Sequence, residues 1–137
     1  MTNHGLFLIR VLVVDDHPIV RRGLCALVTA EPELDVVGEA ATGAEAILKA
    51  VELRPDVVVL DVSLPDMDGL AVARQIGTIV PTPEVLVVSE HGDAMMEAAF
   101  RAGARGYLLK SDSSRELATA VRTVNRKQQY VSQRFAH

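Results

Sequence analysis

Short apolar runs rich in β-branched residues recur at a nearly even interval: "FLIRVLVV" (7–14), "LDVVGEA" (34–40), "DVVVLD" (56–61), "EVLVVS" (84–89) and "GYLLK" (106–110). After each run the apolar spacing changes from strand-like to helical. Val20, Leu24, Leu27 and Val28 form one face of the first helical segment, and Ala46, Ile47, Ala50 and Val51 one face of the second. Leu70, Ala73 and Ile76 or Gly77 mark the third, Met95, Met96, Ala99 and Phe100 the fourth, and Leu117, Val121 and Val124 the fifth. Strands alternating with helices of this length indicate a parallel sheet whose strands are joined by crossover helices. The punctuation agrees: Pro18 suits a first helical turn, Pro55 and Pro83 precede strands, and Gly103 and Gly106 bracket the last turn into a strand.

The pattern predicts one α/β domain over residues 1–125, a (βα)5 doubly wound five-stranded parallel sheet with helices on both faces. The closing stretch "NRKQQYVSQRFAH" is less periodic and more basic. Residues 126–137 therefore read as a tail, either a frayed terminus or the start of a linker to a further domain.

The polar residues fall where such a sheet binds ligands, outside the carboxyl ends of its strands and at the point where strand order reverses. Asp15 and Asp16 close the first strand, Asp61 the third, Ser89 the fourth and Lys110 the fifth. In the order 2-1-3-4-5 these ends lie side by side. Three carboxylates brought together repel one another, and a hard divalent cation relieves them; Mg²⁺ takes oxygen ligands, commonly one or two carboxylates plus a phosphate. A carboxylate can also act as nucleophile toward phosphorus, a reaction that asks the protein chiefly for positioning and charge neutralisation. Asp61 stands alone at the central strand end and suits the nucleophile, while the adjacent Asp15 and Asp16 suit the metal. Lys110 would neutralise charge and Ser89 would donate to a phosphoryl oxygen. Singly, each has an ordinary explanation as a solvated turn, a cap or a surface lysine; four strands delivering complementary chemistry to one edge do not.

Composition narrows the picture. Fourteen Lys and Arg against 18 Asp and Glu leave a net charge of −4, with no general basic footprint for nucleic acid. Cys25 is the only cysteine, which excludes an internal disulfide and a cysteine-built metal site and fits a reducing cytoplasm. Every apolar run is far shorter than the ~20 residues of a membrane span, and "MTNHGLFLIRVLVVDD" lacks a basic leader and a cleavage site. A cytoplasmic chain with no membrane partner is expected. A phosphatase using an aspartate nucleophile would want a second acid two residues after Asp61, where Ser63 stands. A flavin module would want a Ser/Thr/Gly-rich phosphate loop where "DDHP" stands.

Four stretches in order, "VLVVDDHPIVRRGL", "VVVLDVSLPDMDGL", "VLVVSEHGD" and "GARGYLLKSD", resemble the receiver domains of bacterial two-component response regulators. "DDHPIVRRGL" and "GYLLK" are most similar to receivers that precede a LuxR/NarL-type helix-turn-helix domain. The resemblance implies a flavodoxin-like fold in which Asp61 accepts a phosphoryl group from a sensor histidine kinase. It also implies that Asp16, Asp61 and the Ser63 carbonyl bind Mg²⁺, with Asp15 acting through a bound water, and that Lys110 pairs with the phosphate. Ser89 and Tyr107 would form a switch couple, Tyr107 moving into space that Ser89 leaves, and Ser63 and His91 would tune phosphoryl lifetime. The chain would catalyse only its own Mg²⁺-dependent phosphorylation and dephosphorylation. It would form a phosphorylation-dependent homodimer and reach DNA only through a helix-turn-helix domain absent from these 137 residues; the alternative output is a purely interacting, unphosphorylated domain.

Ser111 follows Lys110 where many receivers carry proline after a cis bond, and Leu64 stands where Met is frequent. Outside the resemblance, Tyr107 reads as an edge tyrosine on the fourth helix with a wet hydroxyl. Met95, Met96 and Phe100 read as core filler or a docking surface, His17 as a helix-start residue rather than a ligand, and Cys25 as a small packed residue.

Overall fold

Strand and helix alternate in a computed structural model that describes residues 8–136. The elements are β1 (Ile9–Val14), α1 (Pro18–Thr29), β2 (Leu34–Ala40), α2 (Gly43–Leu53), β3 (Val57–Asp61), α3 (Gly69–Ile76), β4 (Glu84–Ser89), α4 (Met96–Arg101), β5 (Gly106–Leu109), α5 (Ser113–Asn125) and β6 (Tyr130–Val131). Two short 3₁₀ turns, Lys110–Asp112 and Gln133–Phe135, follow β5 and β6. Phe7, which opens the first apolar run, lies outside the described residues.

All pairings are parallel, in the order β2-β1-β3-β4-β5-β6. Residues of the central strands alternate between two cores, as buried parallel strands must. Leu12, Val14, Val58, Leu60, Val85 and Val87 face α2, α3 and α4. Val11, Val13, Val57, Val59, Leu86 and Val88 face α1 and α5. The helix faces are narrower than their spacing predicts. Leu24, Val28, Ala46 and Ala50 are buried, whereas Val20 and Val51 are exposed. At about 100° per residue, Val51 is turned about a third of a circle from the Ala46–Ala50 stripe, and Val20 has drifted off the Leu24–Val28 line.

Local hydrogen bonds set the helix starts that shape the upper edge of the sheet. Thr42 Oγ1 accepts the Glu45 amide at 3.1 Å while Glu45 Oε1 accepts the Ala41 amide at 2.7 Å, a reciprocal cap on α2. Asp66 also accepts the Gly43 and Ala44 amides, at 2.7 and 3.0 Å, and so ties the loop after β3 to the start of α2. Gly69 lets that loop close: a Cβ there would stand 2.5 Å from Val62 Cα.

The five-stranded expectation needs correction, because the tail adds a sixth strand. Tyr130 and Val131 pair with Gly106 and Tyr107. The Ser132 amide donates to the Tyr107 carbonyl at 3.0 Å, and Ser132 Oγ accepts the Leu109 amide at 2.8 Å. Tyr130 Oη and the Gln133 amide both donate to the buried Glu116 carboxylate, at 2.5 and 2.9 Å. Arg134 makes a two-pronged contact with Asp112. A frayed terminus is therefore excluded from Tyr130 to Phe135. A two-residue strand carries no periodicity, and its anchors come from residues distant in sequence. Lys110 also falls just past β5 rather than within it, and its bond to Ser111 is trans, Val80–Pro81 being the cis peptide among the described residues. Among those residues no helix is long and apolar enough to cross a membrane.

Candidate functional site

Hydrogen-bond register brings the ends of β1, β3, β4 and β5 level, with Val14 opposite Leu60, Asp61 opposite Val88 and Ser89 opposite Leu109. One residue past each strand end, or at it, the polar side chains converge. Asp15, Asp61 and Ser89 are buried, and Lys110 is nearly so. Lys110 Nζ lies 3.2 Å from Asp61 Oδ2 and 3.2 Å from Asp15 Oδ2, with Glu90 Oε1 at 4.0 Å. Asp61 Oδ1 accepts the Ser63 amide at 3.1 Å, Asp15 Oδ1 accepts the His17 amide at 2.9 Å, and Ser89 Oγ accepts the His91 amide at 3.0 Å.

The electrostatics follow from this crowding. Burial is the largest influence on Asp61 and pushes its carboxyl above the usual range, helped by the nearby Asp15 charge and opposed by the Ser63 amide and Lys110. Burial works against the Lys110 ammonium too, yet Asp61 and Asp15 outweigh it and hold Lys110 above the ordinary lysine value. One ammonium thus serves two buried carboxylates, and a third, Asp16, stands beside them.

The donor set fits a hard cation. Asp15 Oδ2 and Asp16 Oδ1 are buried and accept no hydrogen bond, although Lys110 Nζ stands 3.2 Å from the first and His17 Nδ1 3.2 Å from the second. Buried carboxylate oxygens are costly to leave without hydrogen bonds. Ligand atoms of Asp15, Asp16, His17 and Asp61 all lie within 4.8 Å of one another. The His17 ring, expected only to start a helix, stands with Nδ1 3.2 Å from Asp16 Oδ1, although it is largely exposed. Oxygen is the donor that Mg²⁺ prefers, so the carboxylates remain its natural partners.

The profile described as "Response regulator receiver domain" matches residues 11–122. The chain belongs to the response regulator receiver family. It is 46% identical over 118 residues to the DNA-binding transcriptional activator DevR/DosR of Mycobacterium tuberculosis, covering 85% of this chain and 54% of that protein. It is 39% identical over 120 residues to the transcriptional regulatory protein LiaR of Bacillus subtilis, covering 87% of this chain and 57% of that protein. A LuxR-family two-component response regulator from an Aurantimonas species superposes with a TM-score of 0.88 at 37% identity, covering 94% of this chain and 93% of that one. The likeness therefore extends to LuxR/NarL-type regulators, and the receiver spans about half the length of the curated relatives it matches.

In this receiver Tyr107 is neither an edge residue nor wet. It is fully buried, its hydroxyl donates to the Gly92 carbonyl at 2.6 Å, and the Phe135 ring lies 6.5 Å away, centroid to centroid. The tail strand covering β5 explains the difference from a free edge. Because Tyr107 is already inside, no outward-to-inward movement is available to it from this state. Ser63 and His91 are exposed on the loops after β3 and β4, at the rim of the edge. Met95, Met96 and Phe100 pack against the core as partly buried filler. Two residues that position the edge escaped the sequence reading, Asp66 and Arg21. Arg21 Nη1 donates to the Asp15 carbonyl at 2.8 Å; the "DDHPIVRRGL" stretch placed an arginine near the site but could not say which way it turns.

Proposed function

We propose that this receiver is a phosphorylation-activated switch in which Asp61 takes a phosphoryl group from a sensor histidine kinase. The observation that carries the reading is the Lys110 ammonium shared at 3.2 Å between Asp15 and Asp61, beside two buried carboxylate oxygens that accept no hydrogen bond. An Asp61 carboxylate oxygen attacks phosphorus, the bond from phosphorus to the kinase histidine nitrogen breaks, and the electron pair leaves on the imidazole. Lys110 balances charge on the transferred group, and the Ser89 hydroxyl donates to one of its oxygens. Asp15, Asp16 and Asp61, with the Ser63 carbonyl, would hold Mg²⁺, which supplies charge neutralisation when bound. Ser63 and His91 flank the entrance and set how readily water reaches the aspartyl phosphate.

Phosphorylation adds roughly −1.5 to −2 charge and three acceptor oxygens. Ser89 Oγ, turned toward them, gives up the His91 amide; the β4–α4 loop then shifts, and Tyr107 follows through its bond to Gly92. The α4–β5–α5 surface changes shape and controls an output. Relatedness to DevR/DosR and LiaR supports transcription as that output, through a helix-turn-helix domain beyond residues 126–137 acting as linker, in a cytoplasmic protein that dimerises on phosphorylation.

Intact-protein mass after incubation with acetyl phosphate, with and without Mg²⁺, tests the first step. A single Mg²⁺-dependent phosphoryl adduct, lost in Asp61→Asn, is the expected result. A parent chain that stays unmodified with Mg²⁺ and a competent kinase would leave the interaction-only reading.

A further inference from the structure

We propose that Arg21 is a positioning residue for the acidic edge: it holds the Asp15–Asp16 turn in the shape that receives the cation without being a ligand. The inference rests on the reading of Asp15 and Asp16 as cation-binding residues.

Asp15 is held at its backbone from two sides, and both supports lead to the end of β2. Its amide donates to the Ala40 carbonyl at 3.0 Å. Its carbonyl accepts from Arg21 Nη1 at 2.8 Å, and Arg21 Nε is in turn fixed by Glu39 Oε1 at 2.9 Å. The side chain is held as well, through the His17 amide on Oδ1, so that Oδ2 alone is left without a hydrogen bond. Arg21 sits in the first turn of α1 and reaches back across His17 and Pro18, closing the turn between β1 and the helix.

Asp16 depends on this closure. Its Oδ1 is buried and accepts no hydrogen bond, and His17 Nδ1, 3.2 Å away, belongs to the same turn, so the direction of the side chain follows the Asp15–Asp16 peptide plane. Three carboxylates with ligand atoms within 4.8 Å repel one another, and a turn held only by water would open to separate them. A guanidinium suits the task because its planar fork serves a carbonyl and a carboxylate at once, which an ammonium on a flexible stem does less well. Its ion pair is with Glu39 and not with the carboxylates of the edge, so its part differs from that of Lys110.

The sign of the effect separates this role from general electrostatics. Removing a positive charge beside a cation site would, by Coulomb attraction alone, tighten cation binding; losing the clamp weakens it. In calorimetric titration with Mg²⁺ alone, Arg21→Gln is expected to bind about tenfold more weakly than the parent. With acetyl phosphate, the Mg²⁺ concentration giving half-maximal phosphorylation rises by a similar factor, while the rate at saturating Mg²⁺ stays within about twofold. Amide exchange at Asp16 and His17 speeds up in the metal-free variant. Arg21→Lys keeps the charge and the fold but regains only part of the affinity. Arg22→Gln, the same charge removed from the exposed neighbouring position, does not weaken binding. Mg²⁺ binding as tight as the parent's, or tighter, in both Arg21 variants would overturn the proposal. A parent chain that binds no Mg²⁺ would instead overturn the cation reading beneath it.

Discussion

The Lys110 ammonium lies 3.2 Å from the Asp61 carboxylate, linking two strand ends between which β4 runs. Without that ammonium the burial of Asp61 would go unopposed except by the Ser63 amide. Lys110→Ala is therefore expected to slow phosphorylation by acetyl phosphate on the order of 10²-fold, about 2.7 kcal/mol of lost stabilisation. The same variant leaves two buried carboxylates facing each other, so Mg²⁺ should raise its melting temperature more than it raises the parent's. Stopped-flow and thermal melts read the two effects, and an unslowed variant would remove Lys110 from the reaction.

Ser89 Oγ accepts the His91 amide one residue before the Gly92 carbonyl that takes the Tyr107 hydroxyl. Ser89→Ala should leave phosphorylation within about tenfold of the parent, since one neutral hydrogen bond contributes ~1 kcal/mol. The phosphorylation-induced change in amide exchange over residues 90–109 should, however, be largely lost. If those residues respond in the variant as they do in the parent, the signal travels by another route.

Ser132 is fully buried and holds the Leu109 amide at 2.8 Å. Ser132→Ala strands that amide and should cost about 1–3 kcal/mol, which for a domain of this size lowers the melting temperature by several degrees. Exchange at Tyr130 and Gln133 should rise with it. A melt unchanged from the parent would mean that the tail leaves β5 readily in solution.

Asp112 links the tail to the start of α5. The Arg134 side chain, helped by Ser132 and by the charges of Arg134 and Arg115, holds its carboxyl below the usual range. A carboxyl depressed in the folded state stabilises docking fully above its unfolded value of ~3.9 and loses that contribution as pH falls through the folded value. Tail protection should therefore be constant from neutral pH down to about 5 and fall below the ordinary carboxylate range. Asp112→Asn should show weaker docking at pH 7 and less acid dependence. Hydrogen exchange across the pH series checks both, and equal acid sensitivity in the variant would assign the effect elsewhere.

Much of this receiver is written in local pattern. The runs at 34–40 and 84–89 coincide with β2 and β4, because β-branched residues bounded by turn formers have few other uses. Asp15, Asp61, Ser89 and Lys110 were recognisable for a similar reason: position at a strand end is a sequence property, and the parallel order 2-1-3-4-5 turns it into proximity. Met95, Met96 and Phe100 have a spacing that fits core and surface equally, and only packing puts them against the core.

Tertiary structure decided what depends on partners far along the chain. Tyr130 and Val131 became a strand because Glu116 and the open side of β5 met them; two residues have no period of their own. That strand then buried Tyr107, whose local sequence reads equally well as an edge. Arg21 turned toward the Asp15 carbonyl because Glu39, on the neighbouring strand, holds its guanidinium there. Which chemistry stands at each strand end is legible along the chain, since an apolar run and the polar residue closing it are contiguous. The folded chain alone decided the direction and burial of the long side chains, since those follow from contacts that exist only after the strands have paired.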